Sequence, residues 1–462
     1  MYEFIAIHMM APMMDFLRNT RTMKCLNELE KSQWWSQDSI LDLQNQRLTR
    51  LVQHAYSNVP YYRRIFDERA LKPKDIQNSG DLKKLPVLTK QLVRDKIGEI
   101  MAQGLPEKGI APIRTSGSTG EPLFFYATKN VSNWSAASQR AWGWAGYRIG
   151  CKCVSLTNRH PYQSSLHEIR ERAALFFERK MFLNITKMSI DKVSSYAKSL
   201  VNFQPEFLMG YPSGIYQLGR FIERECLPRP KLKAIISVAE QLYYSQRNYL
   251  SQLFGCETYD FYSARETSAI ASECSEHSGY HITAENVVVE VIDADSNPVP
   301  ENVEGRILVT NLHNYAVPFI RYDIGDMGAY SNKVCPCGRG LPLLAFLSGR
   351  ICDNIMTPSG GVIPGMALAP IYFALPGVEQ YQIAQESYYE VVVRIVPDKK
   401  YPREHLNKLA KQILNQHRHL FEQDMSFSVE FVDQIPRTEA GKIRVVISCL
   451  SQESEGNTQI SE

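Results

Sequence analysis

A cluster of hydroxyl and glycine residues marks the stretch of this chain best suited to chemistry. Residues 113–122 read IRTSGSTGEP, with hydroxyls at Thr115, Ser116, Ser118 and Thr119. Gly117 and Gly120 permit backbone turns with positive φ, which point several N–H and O–H donors at one anion. The run lacks the Gly-Lys-Ser/Thr ending of the common nucleotide-binding loop, and a strand-like segment follows it. We expect a mobile hairpin that grips a triphosphate; an ordinary polar turn is the alternative.

Cysteine and histidine residues form a second pattern with chemical meaning. Cys335 and Cys337 lie two positions apart before a glycine, as in a metal-binding knuckle, and Cys274 is followed by His277 and His281. Three cysteines and one histidine would complete a closed tetrahedral zinc site of the structural kind. The sequence leaves open which histidine is the ligand. Free buried cysteines in a reduced protein are the alternative.

Four further segments carry charged or aromatic residues in a fixed order along the chain. They are FYSARET at 261–267, IRYDIGD at 320–326, GRICD at 349–353 and IPRTEAGKIR at 435–444. Each is weak alone, since a lysine after a glycine is usually a surface residue and a tyrosine is usually a core aromatic. Glu240 follows an apolar run, and it fits either a residue facing a ligand or an acid at a helix start.

The elements that must position these residues change character along the chain. From residue 134 to 260, helical patterns alternate with short apolar runs, which predicts a mainly parallel sheet with crossover helices. Residues 281–291, 305–310 and 317–322 are strand-like and predict a β-rich section. The predicted fold class is therefore α/β, with layered sheets and helices plus this β-rich section in a large N-terminal domain, residues 1–350. A small mobile α+β domain follows at 351–450, and the polar residues 451–462 are predicted to be a disordered tail.

Composition and charge exclude several classes of protein. A chain of 462 residues can form two or three domains with ample core. The net charge is only +3 and no basic run is present, which argues against nucleic-acid binding. No run of about 20 apolar residues predicts a transmembrane segment, and ten cysteines without a secretory signal predict a cytoplasmic protein with reduced thiols. The apolar residues 1–12 are interpreted as a packed or frayed terminus, with weak membrane contact as the alternative.

Taken together, the loop at residues 113–122 and the four segments resemble the core motifs of adenylate-forming enzymes, the superfamily of acyl-CoA ligases and adenylation domains. The resemblance covers about residues 40–450. Segments 59–66, 311–318 and 335–342 resemble the phenylacetate–CoA ligase-like branch, above all the CapK-like proteins of capsule and exopolysaccharide biosynthesis. The resemblance implies a large N-terminal domain and a small C-terminal lid.

The implied activity is activation of a small carboxylic acid by ATP and Mg²⁺. The product would be an acyl-adenylate with release of pyrophosphate, followed by transfer of the acyl group to coenzyme A or another acceptor. The alternatives are acyl or aminoacyl transfer to a sugar or amine without coenzyme A, and a degenerate nucleotide-binding scaffold in an assembly complex. Relatives often pair, so a homodimer is also expected.

The resemblance assigns a role to each matching residue. It places residues 116–120 around the β- and γ-phosphates, Tyr262 against adenine and Asp326 on the ribose hydroxyls. Glu266 would help to hold Mg²⁺, and Glu240 aligns with a segment that faces the nucleotide. Arg350 would lie near the ribose and α-phosphate, and Lys442 would reach the carboxylate and α-phosphate from the lid.

Overall fold

A computed structural model describes residues 2–105, 109–115, 123–128, 132–157, 172–184, 190–350, 355–358, 362–363, 375–398, 400–418, 421, 423–436 and 444–450. Its helices are α1 (Tyr2–Ile5), α2 (Ala11–Arg18), α3 (Thr22–Ser32), α4 (Gln37–Asn58), α5 (Pro60–Glu68), α6 (Lys90–Ile100), α7 (Ser132–Trp144), α8 (Ile190–Phe203), α9 (Pro212–Arg224), α10 (Tyr244–Phe254) and α11 (Arg403–His417). A π-helical segment, Ala6–Met10, joins α1 to α2, and 3₁₀ turns lie at Pro73–Asp75 and Ser79–Lys84.

The strands follow in chain order. They are β1 (Ile110–Arg114), β2 (Phe124–Thr128), β3 (Cys153–Thr157), β4 (Lys180–Asn184), β5 (Phe207–Gly210), β6 (Ala234–Val238), β7 (Glu257–Ala264), β8 (Ser268–Ser272), β9 (Tyr280–Ile282), β10 (Val287–Ile292), β11 (Gly305–Asn311), β12 (Tyr322–Ser331), β13 (Leu343–Arg350), β14 (Ile355–Met356), β15 (Val362–Ile363), β16 (Val378–Ser387), β17 (Glu390–Pro397), β18 (Ser426–Phe431) and β19 (Val446–Ser448).

One sheet of eleven strands dominates the part of the chain before residue 351, in the order β10-β11-β12-β13-β9-β8-β7-β6-β5-β3-β4. Strands β3 to β7 pair in parallel, and the pairs from β7–β8 to β10–β11 are antiparallel. The predicted parallel sheet and β-rich section are therefore two halves of one sheet. The strand expected at residues 317–322 is wrong, since β12 begins at Tyr322. Arg321 before it has a left-handed φ of 53°, which breaks the extended conformation.

The parallel half is covered by helices on both faces. Residues from β3, β5 and β6 pack against α8, α9 and α10 on one face, and others pack against α3 and α7 on the opposite face. All four residues of β5 are buried, as is typical of a strand enclosed on both sides. At Gly210, a Cβ would lie 2.4 Å from the Leu156 carbonyl oxygen, so only glycine permits this approach to β3.

The antiparallel half surrounds a second core with α4, α5 and α6. The apolar stripe of α4 includes Leu48, Leu51, Val52 and Ala55, which are all fully buried. Arg140 of α7 pairs with Glu285 at 2.6 Å, and Ser32 of α3 donates to the same carboxylate oxygen at 2.6 Å. This buried pair fixes both helices to the segment that precedes β10.

The C-terminal unit has its own sheet, in the order β18-β17-β16-β19, and its own core with α11. The central pair β16–β17 is antiparallel, and both outer pairs are parallel. The predicted fold class, α/β followed by a smaller α+β unit, is confirmed. Among the described residues, no helix combines the length and apolar character needed to cross a membrane.

Candidate functional site

Several predicted site residues lie at one edge of the large sheet. Because β5, β6 and β7 are parallel, their carboxyl ends meet at the same edge, where open α/β sheets bind ligands. Glu240 follows β6 and accepts a hydrogen bond from the backbone N–H of Ser213 at 3.2 Å. Ser213 is in the first turn of α9, so Glu240 has the geometry of the helix-start acid.

Tyr262 and Asp326 meet at this edge. The Tyr262 hydroxyl donates to Asp326 Oδ2 at 2.7 Å. Their strands, β7 and β12, are separated in the sheet by β8, β9 and β13, so the sheet must curve back on itself to bring the two side chains into contact. Arg350 is opposite Asp326 in the β12–β13 register, which places its backbone beside the pair. The Arg350 side chain lies outside the described residues.

Glu266 is in the turn between β7 and β8 and is held at two points. Its Oε1 accepts a hydrogen bond from the Tyr322 hydroxyl at 3.0 Å, and its backbone carbonyl accepts one from Asn311 Nδ2 at 2.9 Å. The side chain is largely buried. An oriented carboxylate with little exposure is suited to hold a hard cation such as Mg²⁺.

Tyr322 and Asn311 are site residues that the sequence reasoning did not single out. Both lie in segments noted for the family resemblance, 320–326 and 311–318, but their partners are 56 and 45 residues away in the chain. Their position within these segments was the only sign in the sequence reasoning that they could belong to the site. Only the fold shows that these two side chains orient Glu266.

The hairpin predicted around the hydroxyl-rich loop is confirmed. Strands β1 and β2 pair antiparallel from Ile110 and Thr128 to Arg114 and Phe124. At its loop end, Leu123 N–H donates to Thr115 Oγ1 at 2.8 Å, and Thr115 N–H donates to the Leu123 carbonyl at 2.9 Å. The residues predicted to contact phosphate, 116–120, lie outside the described residues. Lys442 does too.

The predicted metal-binding residues converge on a second place. Cys274 Sγ is 3.6 Å from Cys335 Sγ, and Cys337 Sγ is 3.3 Å from His281 Nε2. All four ligand atoms lie within 4.8 Å of one another. In a tetrahedral zinc site with metal–ligand bonds of about 2.0–2.3 Å, neighbouring ligand atoms are about 3.3–3.8 Å apart. The donor set and its spacing therefore fit zinc.

His277, the alternative histidine, lies outside this cluster. Its Nδ1 is 3.2 Å from Arg247 Nη1 and 3.4 Å from a Glu273 carboxylate oxygen, and its Nε2 is 3.5 Å from Glu257. It lies in the turn after Cys274 with a left-handed φ of 46°, and these ring contacts are with Arg247 and two glutamates rather than with the thiols. Of the two histidines, only His281 is placed as a ligand.

Burial and neighbouring charge set the protonation of the cluster. Burial and the positive charge of Arg339 lower the pKa of His281 to about 4, so its ring is neutral at pH 7. Burial raises the pKa of the Cys337 thiol, but hydrogen bonds from Arg339 outweigh it and leave this pKa below its ordinary value. A neutral imidazole and a readily ionised thiol are the forms that bind a metal.

Known proteins resemble the chain along most of its length. Residues 355–449 match a family model described as the CapK C-terminal domain. Phenylacetate-coenzyme A ligase of Thermus thermophilus is 26% identical over 437 residues, which cover 88% of this chain and 95% of that protein. The chain is similar to phenylacetate–CoA ligases. Protein CapK of Staphylococcus aureus is 24% identical over 427 residues, covering 89% of this chain and 90% of that protein.

The fold of this chain is also found among solved structures. A 2-hydroxyisobutyryl-CoA ligase in the postadenylation state, in complex with R3-HIB-AMP, superposes with a TM-score of 0.74 at 20% identity. The match covers 93% of this chain and 94% of that protein. The predicted resemblance to adenylate-forming enzymes, and the assignment to the acid–thiol ligase type, are confirmed. The roles of individual site residues stay predictions.

Proposed function

We propose that this protein uses ATP and Mg²⁺ to convert a small carboxylic acid to an acyl-adenylate, releases pyrophosphate, and transfers the acyl group to coenzyme A. The observation that carries the proposal is the convergence of Tyr262, Asp326 and Glu266 at the carboxyl edge of the sheet. Tyr262 and Glu266 come from segment 261–267 and Asp326 comes from segment 320–326, so two motifs that are far apart in the chain meet there. A nucleotide bound across this edge would contact all three.

The chemistry gives each group a task. The acid attacks the α-phosphorus in line, so charge on that phosphate and on the leaving pyrophosphate must be neutralised. Glu266, oriented by Tyr322, would hold Mg²⁺, which supplies part of that neutralisation. Asp326 would accept hydrogen bonds from the ribose, and Tyr262 would flank adenine while its hydroxyl fixes Asp326.

The remaining groups of the proposed site come from the hairpin and the C-terminal unit. Residues 116–120 would surround the β- and γ-phosphates, and Arg350 would lie near the α-phosphate. Lys442 would contact the carboxylate and α-phosphate, since a flexible ammonium suits a charge that develops during reaction. In this proposal residues 351–450 form a mobile lid that moves between the adenylation and transfer steps.

The acceptor of the acyl group has more than one candidate. The resemblance to CapK-like proteins extends the proposal to polysaccharide biosynthesis, where a sugar or an amine would replace coenzyme A. We propose a cytoplasmic protein, because ATP and coenzyme A, its proposed substrates, are available there. A homodimer is compatible with this chemistry and is tested by sedimentation equilibrium.

Pyrophosphate–ATP exchange tests the proposed function. The full chain is assayed with Mg²⁺ and a panel of aryl, fatty, hydroxy and amino acids, and each active acid is then tested for coenzyme A consumption. Exchange with consumption supports the complete proposal, and exchange without it favours a non-thiol acceptor. A protein that binds no ATP and supports no exchange with any acid is a degenerate scaffold instead, and the proposal fails.

We further propose that Cys274, His281, Cys335 and Cys337 hold a structural zinc ion. The four ligands come from three segments of the antiparallel half, and Trp144 of α7 packs on the His281 ring with a centroid distance of 5.4 Å. A closed set of four protein ligands leaves no position for substrate, so the metal would fasten β9 to the segment before β13.

Cys335→Ser is expected to release the zinc and lower the melting temperature by roughly 5–10 °C, because the metal stabilises only the folded chain. Metal content by mass spectrometry and thermal unfolding check this. Cys226→Ser, at an exposed free cysteine, is the matched control and should change neither value. Wild-type protein purified without zinc, from medium containing it, would contradict the assignment.

A further inference from the structure

The first seventeen described residues form a docked helical segment rather than a frayed end. Ala6 is fully buried beside Gly150, where an added Cβ would lie only 2.7 Å from the Ala6 Cβ. The Tyr2 hydroxyl donates to the Phe177 carbonyl at 2.8 Å, and the Arg179 guanidinium lies 5.0 Å from the centre of the Tyr2 ring. The inner side of the segment is therefore anchored through small and aromatic contacts.

The outer side of the same segment is apolar, which is unusual for a docked surface helix. Its side chains recur at helical spacing, so they lie along one face. Two phenylalanines of the neighbouring helical residues 172–177 extend the face. We call this set the N-terminal apolar surface; its most exposed members, at 49–84% exposure, are Phe4, Met9, Met13, Phe16, Leu17 and Phe176.

Positive charge borders this surface. Residues 2–24 and 172–180 contain six basic and three acidic side chains, a net charge of +3, which equals that of the whole 462-residue chain. Two of the acids have partners: Asp15 accepts hydrogen bonds from Thr20 and from the Met23 amide at the turn after α2, and Glu178 pairs with Lys180 at 3.0 Å. Five of the basic side chains form the border, namely Arg18, Arg21, Lys24, Arg172 and Arg179. The sixth, Lys180, lies against the Trp142 and Tyr147 rings and is neutralised by Glu178, so the border keeps its net charge of +3 without this pair.

We propose that the N-terminal apolar surface binds the interface of an anionic lipid bilayer and holds the protein at a membrane surface. A protruding apolar ridge with a cationic border is the pattern of helices that lie in the headgroup region. Anionic headgroups would neutralise the border while the apolar side chains enter the acyl boundary. This inference does not depend on the proposed acid activation.

A second copy of the chain is the competing occupant, and charge argues against it. A twofold dimer places the same patch against itself, so both cationic borders would face each other. The net charge of +3 beside the surface of each copy would then be repelled by the same charge on the other copy rather than neutralised. A bilayer with negative lipids has the opposite sign, and its fluid surface requires no matching shape.

Vesicle co-sedimentation of the full chain tests the inference. Phosphatidylcholine vesicles with and without phosphatidylglycerol are compared at low and high salt. We expect binding to the anionic vesicles, weakened by salt, and little binding to neutral ones. Phe16→Glu with Leu17→Glu is expected to lower the partition coefficient at least about tenfold, because two apolar side chains lose their insertion energy. Arg18→Glu with Lys24→Glu should weaken binding only to the anionic vesicles.

Two control variants distinguish lipid contact from other causes of lost binding. Val303→Glu changes an exposed apolar residue in the loop before β11 and should bind vesicles like the wild type. Phe16→Ala with Leu17→Ala preserves helix propensity, and a loss of vesicle binding without a change in melting temperature separates lipid contact from misfolding. Wild-type protein that ignores anionic vesicles overturns the inference. A dimer in sedimentation equilibrium that the Glu variant dissociates, without vesicle binding, assigns the surface to a second copy instead.

Discussion

Glu266→Gln is expected to slow pyrophosphate–ATP exchange by about 10²–10³-fold, the loss typical when one charge-stabilising group is removed from an active site. Glutamine keeps the shape of the side chain and can still contact the Tyr322 hydroxyl, which donates to Glu266 at 3.0 Å. The substitution removes only the negative charge that a hard divalent cation requires. The exchange assay measures the rate, and a Mg²⁺ titration measures the metal dependence.

Two further variants and a Mg²⁺ titration show whether Glu266 acts through the metal. Tyr322→Phe removes only the orienting hydrogen bond, so we expect a smaller loss of about fivefold. Glu68→Gln, at an exposed residue of α5, should leave exchange unchanged. Excess Mg²⁺ should partly restore the Glu266→Gln rate. An unchanged Mg²⁺ dependence in a folded, slow variant would mean that Glu266 acts elsewhere than at the metal.

Lys442→Ala is expected to lower exchange by at least about 10²-fold, because the proposed lysine neutralises charge as the carboxylate attacks the α-phosphorus. Lys442→Arg should restore little, since a planar guanidinium does not replace a compact ammonium on a flexible stem. Transfer of the acyl group from a synthetic acyl-adenylate should remain close to the wild-type rate. Exchange kinetics and a separate thiol-transfer assay measure the two steps.

Lys400→Ala is the matched control for this prediction, since Lys400 is an exposed lysine of the same C-terminal unit. It should leave both steps unchanged. Full exchange activity in Lys442→Ala would remove Lys442 from the proposed site. An equal loss in both steps would assign it a part in binding the adenylate instead.

The residues of the candidate site could be proposed from the sequence because its motifs are local. Tyr262, Glu266 and Asp326 each lie in a short segment whose composition and order along the chain are distinctive. Strands β3, β5 and β6 could also be predicted from the sequence, since a strand buried on both faces is a continuous apolar run. These features depend on neighbouring residues and on periodicity alone.

Other features depend on pairing over long distances, which periodicity does not encode. Nothing in the composition of β7 or β8 shows that their antiparallel contact joins the two halves of the sheet, because register is set by the fold as a whole. The sequence also could not show whether His277 or His281 is the metal ligand. It rests on a left-handed turn at His277 and on the pairing of His281 with Leu343 of β13.

The curvature of the large sheet has a consequence for how a nucleotide would be received. In a flat sheet, strands as far apart as β7 and β12 would be about 19 Å from each other, at roughly 4.8 Å for each of four steps. Their side chains nevertheless touch through Tyr262 and Asp326. Both side chains belong to one continuous hydrogen-bonded ladder, which runs from β7 through β8, β9 and β13 to β12. A nucleotide that contacts both would therefore be held by a single sheet rather than by two separate units.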